Sequence, residues 1–269
     1  MPSNIEVESV RKGVAIVTMK RAERRNALSI GMMKDLVDAL QQLQQDGQTR
    51  VVILRGDGPV FCAGLDLAEA SNPNLVVESA HGVALTLKAL RYSPLVTIAA
   101  VHGGVYAGGA GVMAACDMAI GSSELKIAFP EARRGLLPAL ISDVLKTKVR
   151  EGDLTELFLL GNTIDAHRAQ QIGLIQRIIP EDQLLSEAQR MADDVLAGGP
   201  NTIIETKRLI HRAFEGPNYR DYSKLGLSNS DSQTTIKDHL KARQSPEALE
   251  GLTAFLEKRP PSWNRSQDK

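Results

Sequence analysis

The sequence predicts an α/β fold followed by a helical C-terminal region, and three observations carry that expectation. Short apolar runs that read as strands alternate with segments of helical spacing in a recurring strand, strand, helix order. Beyond residue 142 the spacing turns almost wholly helical, apart from LIQRII at 174–179 and a Gly-Gly-Pro break at 198–200. A chain of 269 residues also exceeds a typical single domain, so one large core with an extension, or two unequal domains, is expected. The boundary falls at the break, with a core over 1–199 and a helical region over 200–269.

Each element has its own signal. IEVESV and VAIVTM flank Arg11, Lys12 and Gly13 and read as a β-hairpin. Ser29 precedes Ile30, Met33, Leu36, Val37, Leu40 and Leu43, one helical face closed by Asp46 and Gly47, which makes Ser29 the N-cap. The strand VVILRG and the loop DGPVFCAG follow. Residues 75–91 are helical in spacing, Pro94 stops them, and LVTIAAV at 95–101 is a strand. Gly108, Gly109 and Gly111 then open a short helix, after which DMAIG and LKIAF return to strand. The last 70 residues are helices rich in charge with thin apolar faces, so they are expected to pack on the core or on another subunit.

Composition excludes several function classes. Apolar residues make up 43% and charged residues 24%, which is ordinary for a globular protein. Lys plus Arg and Asp plus Glu number 32 each, so no electrostatic bias favours nucleic acid or a membrane surface as partner. No run approaches the roughly 18 apolar residues of a membrane span, and the N-terminus lacks a signal-peptide pattern, so a soluble, cytoplasmic protein is expected. Cys62 and Cys116 form no CxxC and have no His at ligand spacing, so buried free thiols are expected and no metal.

The glycines admit competing readings. Gly109, Gly111 and Ala114 satisfy GxGxxA after a strand, as a dinucleotide site would, but only about nine residues separate Gly108 from the next strand, too few for that unit's helix. No GxxxxGK or GxSxG occurs, so phosphoryl transfer and serine hydrolysis lack their usual support. The glycines alone could simply permit tight packing. A second loop, FCAGLDL at 61–67, also follows a strand and offers a backbone N–H at Leu65. Two such loops can converge on one oxygen as an oxyanion hole, where preorganised donors meet charge that develops only in the transition state.

The stretches FCAGLDL, HGGVYAGGAGVMAACDMAI, FPEARRGLLP, LFLLGNTIDAHRAQQIGLIQRII and FLEKRPPSW together resemble the crotonase, or enoyl-CoA hydratase/isomerase, superfamily. The resemblance runs from the first hairpin to residue 263. It implies a crotonase-like spiral of ββα repeats with a C-terminal helical trimerisation region, an acyl-CoA thioester substrate, coenzyme A only as part of that substrate, and no metal. It assigns the oxyanion hole to the N–H groups of Leu65 and Gly108. It also places Arg24, Ala27, Ala63, Asp66 and Leu67 along the nucleotide end of coenzyme A, with Phe255 and Lys258 reaching a phosphate from a neighbouring subunit of a homotrimer or dimer of trimers.

Family hydratases commonly carry two glutamates, one in the glycine-initiated helix and one in a PE segment. Matching places Gly111 at the first position and Glu131 at the second, so one catalytic carboxyl remains. Without the resemblance, Glu131 would read as a solvated loop acid. A single glutamate beside a thioester can hydrate an enoyl group or move its double bond. EARRGLLPALIS is most similar to hydratases of glutaconyl-type or branched enoyl-CoAs, which favours hydration. Isomerisation, decarboxylation and a CoA-ester-binding protein without turnover stay open. Arg133 and Arg134 could pair with a carboxylate on the acyl group, against the plainer reading of surface arginines.

Overall fold

The computed structural model describes residues 4–215 and 241–267. Two strands open the chain, β1 (Ile5–Arg11) and β2 (Val14–Met19), followed by α1 (Ile30–Gln45), β3 (Val51–Gly56), α2 (Leu67–Ala70) and α3 (Val76–Arg91). Next come β4 (Val96–Val101), β5 (Gly104–Tyr106), α4 (Gly108–Ala115), β6 (Met118–Ser122) and β7 (Lys126–Ala128). Then follow α5 (Ala139–Leu145), α6 (Glu151–Leu160), β8 (Ile164–Asp165), α7 (Ala166–Gln171), β9 (Arg177–Ile179) and α8 (Leu184–Leu196). The described residues end with α9 (Pro200–Glu215), α10 (Pro246–Leu256) and a 3₁₀ segment, Ser262–Gln267. The chain divides into two compact units, with the boundary between Ala192 and Asp193.

The first unit is built on a six-stranded sheet in the order β1-β2-β3-β4-β6-β9. The anticipated hairpin pairs β1 with β2 antiparallel, and every later neighbour pair is parallel. The central strands are therefore buried on both faces, which is why β2 and β4 are enclosed at every position and why they read as continuous apolar runs. A second, three-stranded sheet, β5-β7-β8, lies beside it. The two strands expected after the glycine helix thus belong to different sheets, β6 to the large one and β7 to the small one. Of LIQRII only Arg177–Ile179 pairs, while Leu174 and Ile175 are buried in the core.

Helices close the sheet because their apolar faces match it. α1 buries Met32, Met33, Leu36, Leu40 and Leu43 and starts at Ser29, whose side chain accepts a hydrogen bond from the Met32 N–H at 3.1 Å. α1 packs on α3, α3 on α4, and α4 on α5. α4 is buried at all eight positions, so it runs through the core rather than over it. Its C-terminal end is met by Lys148, whose ammonium donates to the carbonyls of Cys116 and Asp117 at 3.1 and 2.9 Å, a cation where the helix dipole favours one.

Within the second unit, Glu247 at the start of α10 accepts from the N–H groups of Asn201 and Thr202 at 3.0 and 2.8 Å, tying it to the first turn of α9. Arg259 pairs with Glu250 and Glu257 past the end of α10. Large apolar side chains remain exposed on both helices, among them Leu209, Ile210 and Phe214 on α9 and Leu249, Leu252, Phe255 and Leu256 on α10.

Candidate active site

Two loop segments converge where the sequence placed a donor pair. The 28 and 65 positions form a short parallel bridge in which the Leu28 N–H donates to the Gly64 carbonyl at 2.8 Å and the Asp66 N–H to the Leu28 carbonyl at 3.1 Å. In that pattern the intervening Leu65 N–H faces away from the bridge. Gly64 sits at φ +90°, and a Cβ there would stand 2.8 Å from the Tyr106 carbonyl and 3.5 Å from the Gly108 nitrogen. Its bare backbone is what lets the 61–67 loop lie against the start of α4.

The start of α4 is held in an unusual conformation. Ala107, its N-cap, has φ 50° and ψ −120°, a region that costs a residue with a side chain about 1–3 kcal/mol. Its N–H donates to the Ala128 carbonyl at 3.0 Å, which secures the kink. Gly108 begins the helix, so its N–H has no intrahelical acceptor. Among the described residues neither the Leu65 nor the Gly108 N–H donates to any group. A Cβ on Gly108 would lie 3.9 Å from the Leu65 nitrogen and 3.3 Å from Leu28 Cδ1, in the space the two amides share. Gly109 has a separate reason to lack a side chain, since a Cβ would meet the Cys62 carbonyl at 2.7 Å.

Glu131 lies in the segment that β7 leads into. It follows Ala128, bonded to Ala107, by three residues, a reach of at most roughly 10 Å. The residue is buried, at 9% exposure, and its Oε2 has no hydrogen-bond partner among the described residues. Burial pushes its carboxyl above the usual 4.5, opposed by a hydrogen bond to its own backbone and by the charge of Arg134. A buried acid with one oxygen left without a partner and a raised carboxyl is a group available for proton transfer. Both cysteines are free and buried, as expected, and burial drives the Cys62 thiol up to about 12, which removes it as a nucleophile.

The residues assigned to the nucleotide end are brought together along the same bridge. Ala63 donates its N–H to the Arg25 carbonyl at 2.9 Å, and the Ala27 N–H reaches the Arg24 carbonyl at 3.1 Å. Arg24 and Leu67 are exposed at this rim. Burial would raise the Asp66 carboxyl, but bonds from Arg21 and the Ala68 N–H, with the Arg21 charge, hold it below 3.8. Arg21 was not anticipated. It donates to the Ala27 carbonyl at 2.8 Å and to Asp66 at 3.0 Å, joining the two segments. Nothing in the run KRAERRNA distinguishes it from its arginine neighbours. Phe255 is exposed near the end of α10, and Lys258 follows it at φ 55°.

The arginines after Glu131 behave differently from one another. Arg133 is exposed and engaged with the chain itself, donating to the Leu160 carbonyl at 2.8 Å and to Asn162 Oδ1 at 2.5 Å, in line with the plainer reading of a surface arginine. Arg134 acts on Glu131 through its charge. Gly111, the position without a carboxyl, faces α5 and α3. A Cβ there would meet Ile141 Cγ2 at 2.4 Å and Leu87 Cδ2 at 3.5 Å. Among the described residues no cluster of three or more His, Cys, Asp or Glu could hold a metal ion, and no helix is long and apolar enough to cross a membrane.

Known proteins resemble this chain in sequence and fold over nearly its full length. Residues 9–266 match the family model described as enoyl-CoA hydratase/isomerase. A Thermus thermophilus protein provisionally named an enoyl-CoA hydratase is 36% identical over 261 residues, covering 94% of this chain and 99% of its own. Enoyl-CoA hydratase EchA19 of Mycobacterium tuberculosis is 34% identical over 256 residues, 92% of each chain. Among solved structures, the enoyl-CoA hydratase of Bacillus anthracis superposes with a TM-score of 0.87 at 27% identity, covering 96% of this chain and 98% of that one. A Legionella pneumophila protein provisionally described as an enoyl-CoA hydratase/isomerase (crotonase) gives 0.87 at 29% identity, covering 98% and 100%. With a family-model match over residues 9–266 and superposition on crotonase-fold structures over nearly the whole chain, the chain is a member of the enoyl-CoA hydratase/isomerase family and has the crotonase fold.

Proposed function

We propose that the protein is an enoyl-CoA hydratase that works with a backbone oxyanion hole and a single glutamate. The observation that carries the reading is the adjacency of the unbonded Leu65 and Gly108 N–H groups. A thioester carbonyl seated there gains two donors as it becomes an enolate, and loss of one such donor typically costs about 2.7–4 kcal/mol of transition-state stabilisation. Glu131 takes a proton from water as the water oxygen bonds to Cβ and the C2–C3 π electrons move toward the thioester oxygen. The enolate then recovers that proton at Cα from the Glu131 carboxyl. Water is added across the double bond and the glutamate is regenerated.

Coenzyme A enters as part of the substrate in this reading. No separate cofactor or metal is called for, because the backbone amides supply the charge stabilisation. Arg24, Ala27, Ala63, Asp66 and Leu67 would flank its nucleotide, with Phe255 and Lys258 contributed from a neighbouring copy in a homotrimer or dimer of trimers. The apolar side chains exposed on α9 and α10, and Leu137 beyond Glu131, support assembly of this kind. A cytoplasmic location belongs to the same reading, in keeping with two unpaired cysteines.

One observation favours double-bond isomerisation as a second reading: with Gly111 in place of an acid, one carboxyl could as well carry a proton between C2 and C4. An ultraviolet assay on crotonyl-CoA and on a 3-enoyl-CoA separates the two. Loss of the crotonyl-CoA absorbance supports hydration. Growth of conjugated absorbance from the 3-enoyl ester supports isomerisation, and silence on both would sink both readings in favour of decarboxylation or of a CoA-ester-binding protein without turnover.

A further inference from the structure

The volume beside Gly111 is occupied by a residue of α5. Ile141 is buried, and a Cβ on residue 111 would stand 2.4 Å from its Cγ2 and 3.1 Å from its Cβ. An isoleucine on a helix is nearly confined to one χ1 rotamer, so its Cγ2 cannot swing aside. Positions 111 and 141 therefore share one space, and only one of them can carry a side chain beyond Cβ.

That space lies one helical turn from Gly108, the start of the proposed donor site. Gly108 and Gly111 are three apart on α4 and so lie on the same face, with Cβ positions roughly 5–6 Å apart. The Cβ direction of Gly108 opens toward Leu28 and Leu65, where the thioester carbonyl is placed under the proposed function, and that of Gly111 opens toward Ile141 and Leu87. Under that proposed function, an acyl chain running from the carbonyl along this face of α4 would meet Ile141 after one turn. The segment that brings Ile141 begins at Glu131, so the acid and the apolar wall reach the site on one stretch of chain.

We propose that Ile141 is the specificity-determining residue of the acyl site. It takes the volume a second carboxyl would need, leaves Glu131 as the only acid at the reacting carbons, and sets how much acyl bulk fits against α4. This rests on the reading of the site as an acyl-CoA thioester site. The substrate class it selects is an enoyl group that presents an apolar, sterically limited side to α4.

The test uses Gly111→Ala, Ile141→Ala and the double variant. Gly111→Ala should lower the melting temperature, and in the Ile141→Ala background the same change should lose most of that cost, because truncating Ile141 removes the Cγ2 contact. Ile141→Ala should also raise the kcat/KM ratio of an enoyl-CoA one or two methylenes larger over crotonyl-CoA, by roughly tenfold or more, the scale of a methylene in an apolar pocket. Additive melting shifts would show that the two positions do not share space. An unchanged ratio in a folded Ile141→Ala protein would show that Ile141 only packs helices, and either result overturns the proposal. If the wild type turns over no enoyl-CoA, the hydratase reading fails separately. The same ratio is then read from the dissociation constants of the two esters, and an unchanged ratio there overturns the proposal equally.

Discussion

The Ala107 amide donates to the Ala128 carbonyl at 3.0 Å, and this bond joins the two halves of the site. On one side it secures the kinked residue that aims the Gly108 N–H, and on the other it anchors the strand that leads to Glu131. Donor and acid are thus set by one hydrogen bond between residues that do no chemistry themselves.

Gly108→Val should abolish turnover. The first added carbon would already lie 3.3 Å from Leu28 Cδ1 and within the space shared with the Leu65 amide, and a β-branched group fills the rest. A fall of at least 10²-fold in kcat is expected, the scale of a lost oxyanion donor. Steady-state kinetics on a protein with unchanged far-ultraviolet circular dichroism checks it, and retained activity refutes the donor assignment.

Glu131→Gln should remove general acid-base catalysis, worth roughly 10²- to 10⁴-fold, with CoA-ester affinity nearly intact. Isothermal titration beside kinetics separates the two quantities. A variant that turns over at the wild-type rate would assign the protons to another group.

The pH dependence follows from the same residue. As a base toward water Glu131 must be ionised in the free enzyme, so kcat/KM should climb with pH through a value above 4.5, because burial raises this carboxyl. The stability consequence has a definite sign. A raised folded-state pKa favours folding below the unfolded value, and that contribution is lost as pH rises through the folded one. Glu131→Gln, neutral throughout, should therefore gain in melting temperature relative to the wild type at neutral pH, with the gain shrinking as pH falls through the raised folded value and gone below 4.5. A melting difference that does not vary with pH would contradict this.

Arg21→Met should loosen the Leu65 donor without touching substrate. It removes bonds to Ala27 and Asp66 in a pair whose side chains are only 17% and 14% exposed. Hydrogen bonds to charged groups are worth about 1.5–3 kcal/mol each, and in a chain of this size 1 kcal/mol shifts melting by about 2–4 °C. Calorimetry should therefore show a loss of several degrees, with kcat reduced as well. Asp66, held low by Arg21, stabilises the fold above pH 3.8 and loses that contribution as pH falls through its lower folded value, a dependence the variant should lack.

Light scattering at micromolar concentration should give a trimer or hexamer, and Lys258→Ala should raise KM for CoA esters while kcat stays near wild type. A monomer, or an unchanged KM, would count against a shared coenzyme A site.

Local pattern was enough for much of this protein. The hairpin around Gly13, the Ser29 cap, the buried strands and the short helix opened at Gly108 all depend on residues within a few positions of one another, and backbone sterics and apolar periodicity act at that range. Glycines leave local marks, so the Leu65 and Gly108 loops could be named as a donor pair from the residues, whereas Glu131 is named only through the family resemblance, because a lone loop acid carries no local sign that it will be buried. Other features exist only between segments distant in the chain. The division of β6 and β7 into separate sheets, the role of Arg21 among several equivalent arginines, the engagement of Arg133 with Leu160 and Asn162, and the kink at Ala107 arise from long-range partners. Gly111 shows the difference most directly. Its missing carboxyl was visible in the sequence, but that Ile141 fills the space follows only from α5 packing against α4, since two residues thirty positions apart compete for one volume only once the core is closed.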